Sequence, residues 1–126
     1  MQTLLTGLRD PGEAYRRSEV DARIAGASPV QLVVLCCEQV SAGITAALRA
    51  DRCGDRAKRS AGVTRALSAL TALEMGIAHD HPFAGLLMHI YGHARTVILD
   101  SVTNFDHGKL KSVQQDFVDL AQGFRV

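Results

Sequence analysis

Ala27-Ser28-Pro29-Val30-Gln31-Leu32-Val33-Val34-Leu35 decides how this chain is read. Ser28 is a helix N-cap residue, and Pro29 fits the first helical position, where no amide hydrogen is needed. Gln31 stands three residues after the cap, where it closes a capping box. A helix is therefore predicted from Pro29 to about Ala50. Its inward stripe is Leu32, Val33, Cys36, Val40, Ile44 and Ala47. At about 100° per residue, Val34 and Leu35 point well away from that stripe. The segment is more apolar than a one-sided helix requires, and the excess points towards a partner.

Downstream, Asp51 to Asp55, with Gly54 inside, reads as a polar turn. The next helix carries Val63, Ala66, Leu67, Leu70, Leu73 and Ile77 on one face. Ala78-His79-Asp80-His81-Pro82 breaks it, and Pro82 opens a further helix under an Asp80 or His81 cap. That helix shows Phe83, Leu86, Leu87, Ile90, Ala94, Val97 and Ile98 on one side. After a turn over Asn104–Gly108, with Asp106 as cap, the last helix offers Leu110, Val113, Phe117, Leu120, Ala121 and Phe124. Upstream, the residues before about Gly12 read as a lead-in, and Glu13 to Ala25 as a short polar helix marked by Tyr15, Val20 and Ile24. Four strong amphipathic helices with short connections predict an all-α fold, an antiparallel up-down four-helix bundle with a short N-terminal capping helix. One domain is expected over residues 1–126, with 1–27 as lead-in and cap and 28–126 as the bundle.

Composition narrows the function. A length of 126 residues suits one domain, and a formal charge of +1 gives no electrostatic reason to expect nucleic acid or a membrane surface. Few aromatics and plentiful Ala and Leu favour helices over a sheet. By composition no apolar run approaches the roughly 20 residues needed to span a bilayer. The N-terminus lacks the basic start and apolar stretch of a signal peptide. Three cysteines, two of them adjacent, suit a reducing cytoplasm.

Candidate chemistry is sparse. His89 and His93 stand four apart on one helix, so both imidazoles are able to face a common metal with His79, His81 or Cys36 as a third ligand. Neither an H-E-x-x-H nor a Glu-x-x-His pair accompanies them, and edge histidines explain the pair as well. Cys36-Cys37 lacks the C-x-x-C spacing of redox work, and Cys36 on the inward stripe serves as a small apolar side chain. No Gly-x-Ser-x-Gly and no Gly-rich phosphate loop is present. Arg52, Arg56, Lys58, Arg59 and Arg65 form a basic patch, but Asp51 and Asp55 interrupt it and no aromatic or recognition helix accompanies it. No catalytic residue, cofactor or metal is expected, and neither is an enzyme.

Surplus hydrophobicity says more. Met88 and Leu99, like Val34 and Leu35, fall off the main face of their helix. Several off-face apolar residues on two helices either lie under the N-terminal helix or form a groove for an apolar partner helix, helped by adaptable Met. Gly43, Gly62, Gly85 and Gly92 lie inside helices, each costing up to ~1 kcal/mol relative to Ala, and close helix–helix approach explains them.

Ala14-Tyr15, a short polar helix and then Ala27-Ser28-Pro29-Val30-Gln31-Leu32-Val33-Val34-Leu35 resemble the opening of the FliS family of flagellin export chaperones. The likeness continues through Leu70 and Leu73-Glu74, through Ala84, Leu87 and Ile90-Tyr91, and to Phe117, Leu120 and Phe124. It departs at Cys37-Glu38-Gln39, where the family commonly has an aromatic, Asp and Gly, and at His79-Asp80-His81-Pro82, where a Gly-Gly turn is usual. The resemblance implies a divergent, cytoplasmic export chaperone. Such a protein holds the apolar C-terminal helical segment of flagellin, prevents its premature polymerisation and delivers it to the flagellar export gate. It also implies an N-terminal segment able to cap the client groove. On that basis Val34, Leu35, Met88 and Leu99 are expected to contact the client, with Tyr15 and Val20 in the displaceable cap. The rival expectations are a metal- or redox-active bundle and a homodimer whose surplus apolar residues pair with themselves.

Overall fold

Three of the four helices start where a side chain covers a free amide group. In a computed structural model of the chain, residues 25–125 are described, and they form four helices and no strand. Helix α1 (Pro29–Arg52) opens on the expected capping box: Gln31 N–H donates to Ser28 Oγ at 3.2 Å, and Ser28 N–H donates to Gln31 Oε1 at 2.8 Å. Gly54, with φ of 69°, then turns the chain, and the Asp55 amide donates to the Ala50 carbonyl at 2.9 Å. Asp55 caps α2 (Arg56–Met75) by accepting from Lys58 N–H at 3.0 Å, and α2 ends at Gly76. Helix α3 covers Ala84–Asp100, and α4, covering His107–Arg125, begins under the predicted Asp106 cap, which accepts from Lys109 N–H at 3.0 Å.

The chain divides into two compact units, residues 1–32 and 33–126. Of the first, residues 25–32 are described and hold the capping box; Tyr15 and Val20 lie outside the described residues. Within the second unit, α1 and α2 meet at Gln39 and Arg65, at Gly43 and Gly62, and at Asp51 and Arg59, in opposing sequence order. Helices α1 and α4 meet likewise at Glu38 and Arg125, at Thr45 and Gln114, and at Asp51 and His107. Arg95 ties α3 to α2 through Glu74 and Thr71, and Tyr91 of α3 stacks on Phe117 of α4 with centroids 6.1 Å apart. Between these contacts lies one apolar core of Cys37, Val40, Ile44, Leu70, Ile98, Leu110, Val113 and their neighbours.

This arrangement corrects the reading of α1. Val34 and Leu35, expected to point away from the core, are buried at 8% and 3% exposure. Cys37 is fully buried, whereas Cys36 is half-buried. The cause is the number of neighbours. One flank of α1 meets α2 and another meets α4, so the buried arc takes in Val34 and Cys37, both in the core cluster. Leu35, on the opposite side of the helix from Ile44, is buried outside that cluster. The same enclosure explains a second correction. By length and composition Pro29–Arg52 is long and apolar enough to cross a membrane, the composition that the core helix of a bundle also needs.

Asp51 links three elements: Arg59 donates to its Oδ1 at 2.7 Å, and His107 Nε2 lies 2.7 Å from its Oδ2. Phe105 in turn lies 5.2 Å beneath the Arg59 guanidinium and edge-on to His107. The hydrogen bonds from His107 and Arg59 hold the Asp51 carboxyl below its ordinary range. A lowered folded-state pKa contributes stability above the unfolded value, lost as pH falls through the folded one. The gap in urea midpoint between wild type and Asp51→Asn is therefore expected to stay constant near neutral pH and to close below about pH 4. A gap that widens in acid contradicts the assignment.

Candidate functional site

Helix α3 is set by its first turn. Ala84 N–H donates to the His81 carbonyl at 3.0 Å, and Phe83 N–H donates to His81 Nδ1 at 3.1 Å. The helix thus opens at Ala84, two residues after the expected Pro82, with the His81 side chain serving an amide at its entrance. The inward face also differs from the expected one. Ala84, Tyr91, Ala94 and Ile98 are buried, with Leu87 packed partly against them, at the alternating three and four spacing of a bundle core. Phe83 and Leu86, expected inside, are 61% and 58% exposed.

Those two residues belong to an open groove of about 570 Å³ between the beginning of α3 and the end of α4. Leu87 and Ile90 extend the α3 wall; Leu120 and Phe124 form the floor from α4. Asp116 and Asp119 stand on the α4 rim, and Gly123 lets the floor run without a side chain between Leu120 and Phe124. Leaving a Leu or Phe largely in water forgoes about 1–2 kcal/mol each, so an occupant that covers Phe83 and Leu86 recovers it. A groove lined in this way accepts one apolar face of a helix.

Met88 and Leu99 are 45% and 48% exposed, as expected, and by helix geometry lie within about 20° of one another. They flank Arg95 on the side of α3 that turns towards Glu74 of α2, away from the groove. Val34 and Leu35 are enclosed elsewhere, so these four residues do not form one surface patch. The signal that pointed to the groove was present in Phe83, Leu86, Leu120 and Phe124. Their apolar character was assigned to the core because pattern alone does not give the width of a buried face.

The alternative chemistries find no such geometry. Among the described residues no three His, Cys, Asp or Glu side chains gather to hold a metal ion, and His89 and His93 are both exposed. Burial pushes the Cys37 thiol up to about 12 and raises Cys36 as well, which withholds the reactive thiolate near neutral pH. In the basic patch, Arg59 is engaged by Asp51 and Arg65 by Gln39.

By class this is an all-helical fold with an open, mainly apolar groove on its surface. Residues 11–126, nearly the whole sequence, match the family model described as flagellar protein FliS. The chain belongs to the FliS family of flagellar proteins, a chaperone family and not an enzyme family. No curated protein and no solved structure matches it significantly.

Proposed function

We propose that the chain is a cytoplasmic export chaperone. As an antiparallel up-down bundle of one domain, it takes the apolar face of the C-terminal helical segment of flagellin into the groove between α3 and α4. The observation that carries this reading is the exposure of Phe83 and Leu86 above Leu87, Ile90, Leu120 and Phe124. Family membership supports a flagellar client. A segment that polymerises through its apolar face is kept monomeric while that face is covered, and release at the flagellar export gate frees it for secretion. Residues 1–27, with Tyr15 and Val20, serve as a displaceable cap. Met88 and Leu99 provide a second contact line on the other flank of α3. Val34, in the core cluster, acts by supporting the bundle, whereas Leu35 is buried outside that cluster.

Leu86→Asp tests this reading. The side chain is exposed, so helical content and urea midpoint are expected to stay at wild-type values. Affinity for a flagellin C-terminal peptide, measured by fluorescence anisotropy, is expected to fall about 30-fold or more, as lost apolar burial of about 2 kcal/mol dictates. Unchanged affinity in a folded Leu86→Asp variant removes the groove from the function.

A further inference from the structure

The two walls of the groove differ in charge. The α3 wall, Phe83 to Ile90, presents only apolar side chains to it, whereas α4 places Asp116 and Asp119 along the opposite rim. These carboxylates are three residues apart and so share one flank of the helix. Asp119 accepts from Gln115 Nε2 at 2.8 Å, a neutral partner that leaves its charge uncompensated. Asp116 makes no ion pair among the described residues. Among the described residues no Lys or Arg lines the groove, and Arg125, next to Phe124, pairs with Glu38 of α1. Among the described residues the remaining ionisable lining group is His81, at the α3 entrance.

We infer that the groove selects its occupant by charge as well as by hydrophobicity: an amphipathic helix whose apolar stripe is flanked, on the side meeting α4, by Lys or Arg. This rests on the docking reading above and adds the client's polar character and orientation. A helix laid with its cations towards α4 pairs them with Asp116 and Asp119, well within a screening length of about 10 Å. Laid the other way, the same helix points its charges at the apolar α3 wall and leaves both carboxylates unpaired. The acidic rim therefore sets which way round the segment lies, while Phe83, Leu86, Leu120 and Phe124 supply the affinity.

The test uses the full chain and three fluorescein-labelled helical peptides of about 20 residues, about 30 Å long. They share one Leu stripe and carry Lys, Gln or Glu along the flank. At low salt the Lys peptide is expected to bind about tenfold tighter than the Gln peptide, and the Glu peptide about tenfold weaker. In Asp116→Asn/Asp119→Asn the three affinities should converge to within about twofold, with the Gln peptide bound as by wild type. Three equal affinities that Leu86→Asp abolishes leave the docking reading standing and overturn the charge selection. A spread that survives the double substitution overturns it too. Peptides that fail to bind, or binding indifferent to Leu86→Asp, overturn the docking reading and this inference with it. The same holds for a dimer that Leu86→Asp makes monomeric, which assigns the groove to a second copy. It holds also for a peptide of residues 1–24 that displaces the Lys peptide, which assigns the groove to the chain's own N-terminus.

Discussion

Gly43→Ala and Gly62→Ala are each expected to destabilise the bundle by about 3 kcal/mol, while Gly85→Ala and Gly92→Ala stabilise it by up to ~1 kcal/mol. All four glycines lie inside helices, and propensity alone favours alanine at each. Tertiary contact reverses the sign at two of them. A Cβ added at Gly43 would lie 2.7 Å from the Ala66 nitrogen and 2.7 Å from the Gly62 oxygen. One added at Gly62 would lie 2.7 Å from the Ala47 nitrogen and the Gly43 oxygen. The two helices thus face each other through matching Gly-x-x-x-Ala pairs, Gly43 with Ala47 and Gly62 with Ala66. The obstructing atoms are backbone, so relief comes only from moving α1 and α2 apart, which opens the core around Ile44 and Val63. Around Gly85 and Gly92 nothing lies within 4 Å of the added carbon. Thermal unfolding followed by circular dichroism should show midpoints about 10 °C or more lower for the first pair and slightly higher for the second. Equal shifts at all four positions would mean that α1 and α2 do not approach so closely.

Leu35→Asp is expected to unfold the protein. A carboxylate at a position 3% exposed must lose its hydration without a partner, a cost of several kcal/mol against a total stability of about 5–15 kcal/mol. The same change at Met88 or Leu99, about half exposed, is expected to move stability by no more than about 0.5 kcal/mol. Urea titrations of the three variants separate the positions. A Leu35→Asp protein with the same midpoint as Leu99→Asp would place Leu35 at the surface and restore it as a candidate client contact.

The features legible in the sequence were those made by neighbours along the chain. The reciprocal bonds of Ser28 and Gln31, the Asp106 cap and the turn at Gly54 each need only residues a few positions apart. The inward faces of α2 and α4 were equally readable, because Leu70, Leu73, Leu110, Val113 and Phe117 repeat at helical spacing and are all buried. The entrance of α3 was misjudged by two residues. Independently of that shift, packing against α4 placed Tyr91, named by the family pattern but not by the apolar stripe, inside against Phe117, and left Phe83 and Leu86 outside.

Sequence alone therefore determined that this chain makes helices, where most of them begin, and which family it belongs to. The tertiary structure alone decided which surplus apolar residues are surplus. Val34 is absorbed into the core because α1 has neighbours on two flanks; Phe83 and Leu86 are left over because they line the open groove between α3 and α4. Periodicity gives the direction of a buried face, whereas its width depends on how many other helices reach it, and that count is a property of the assembled bundle.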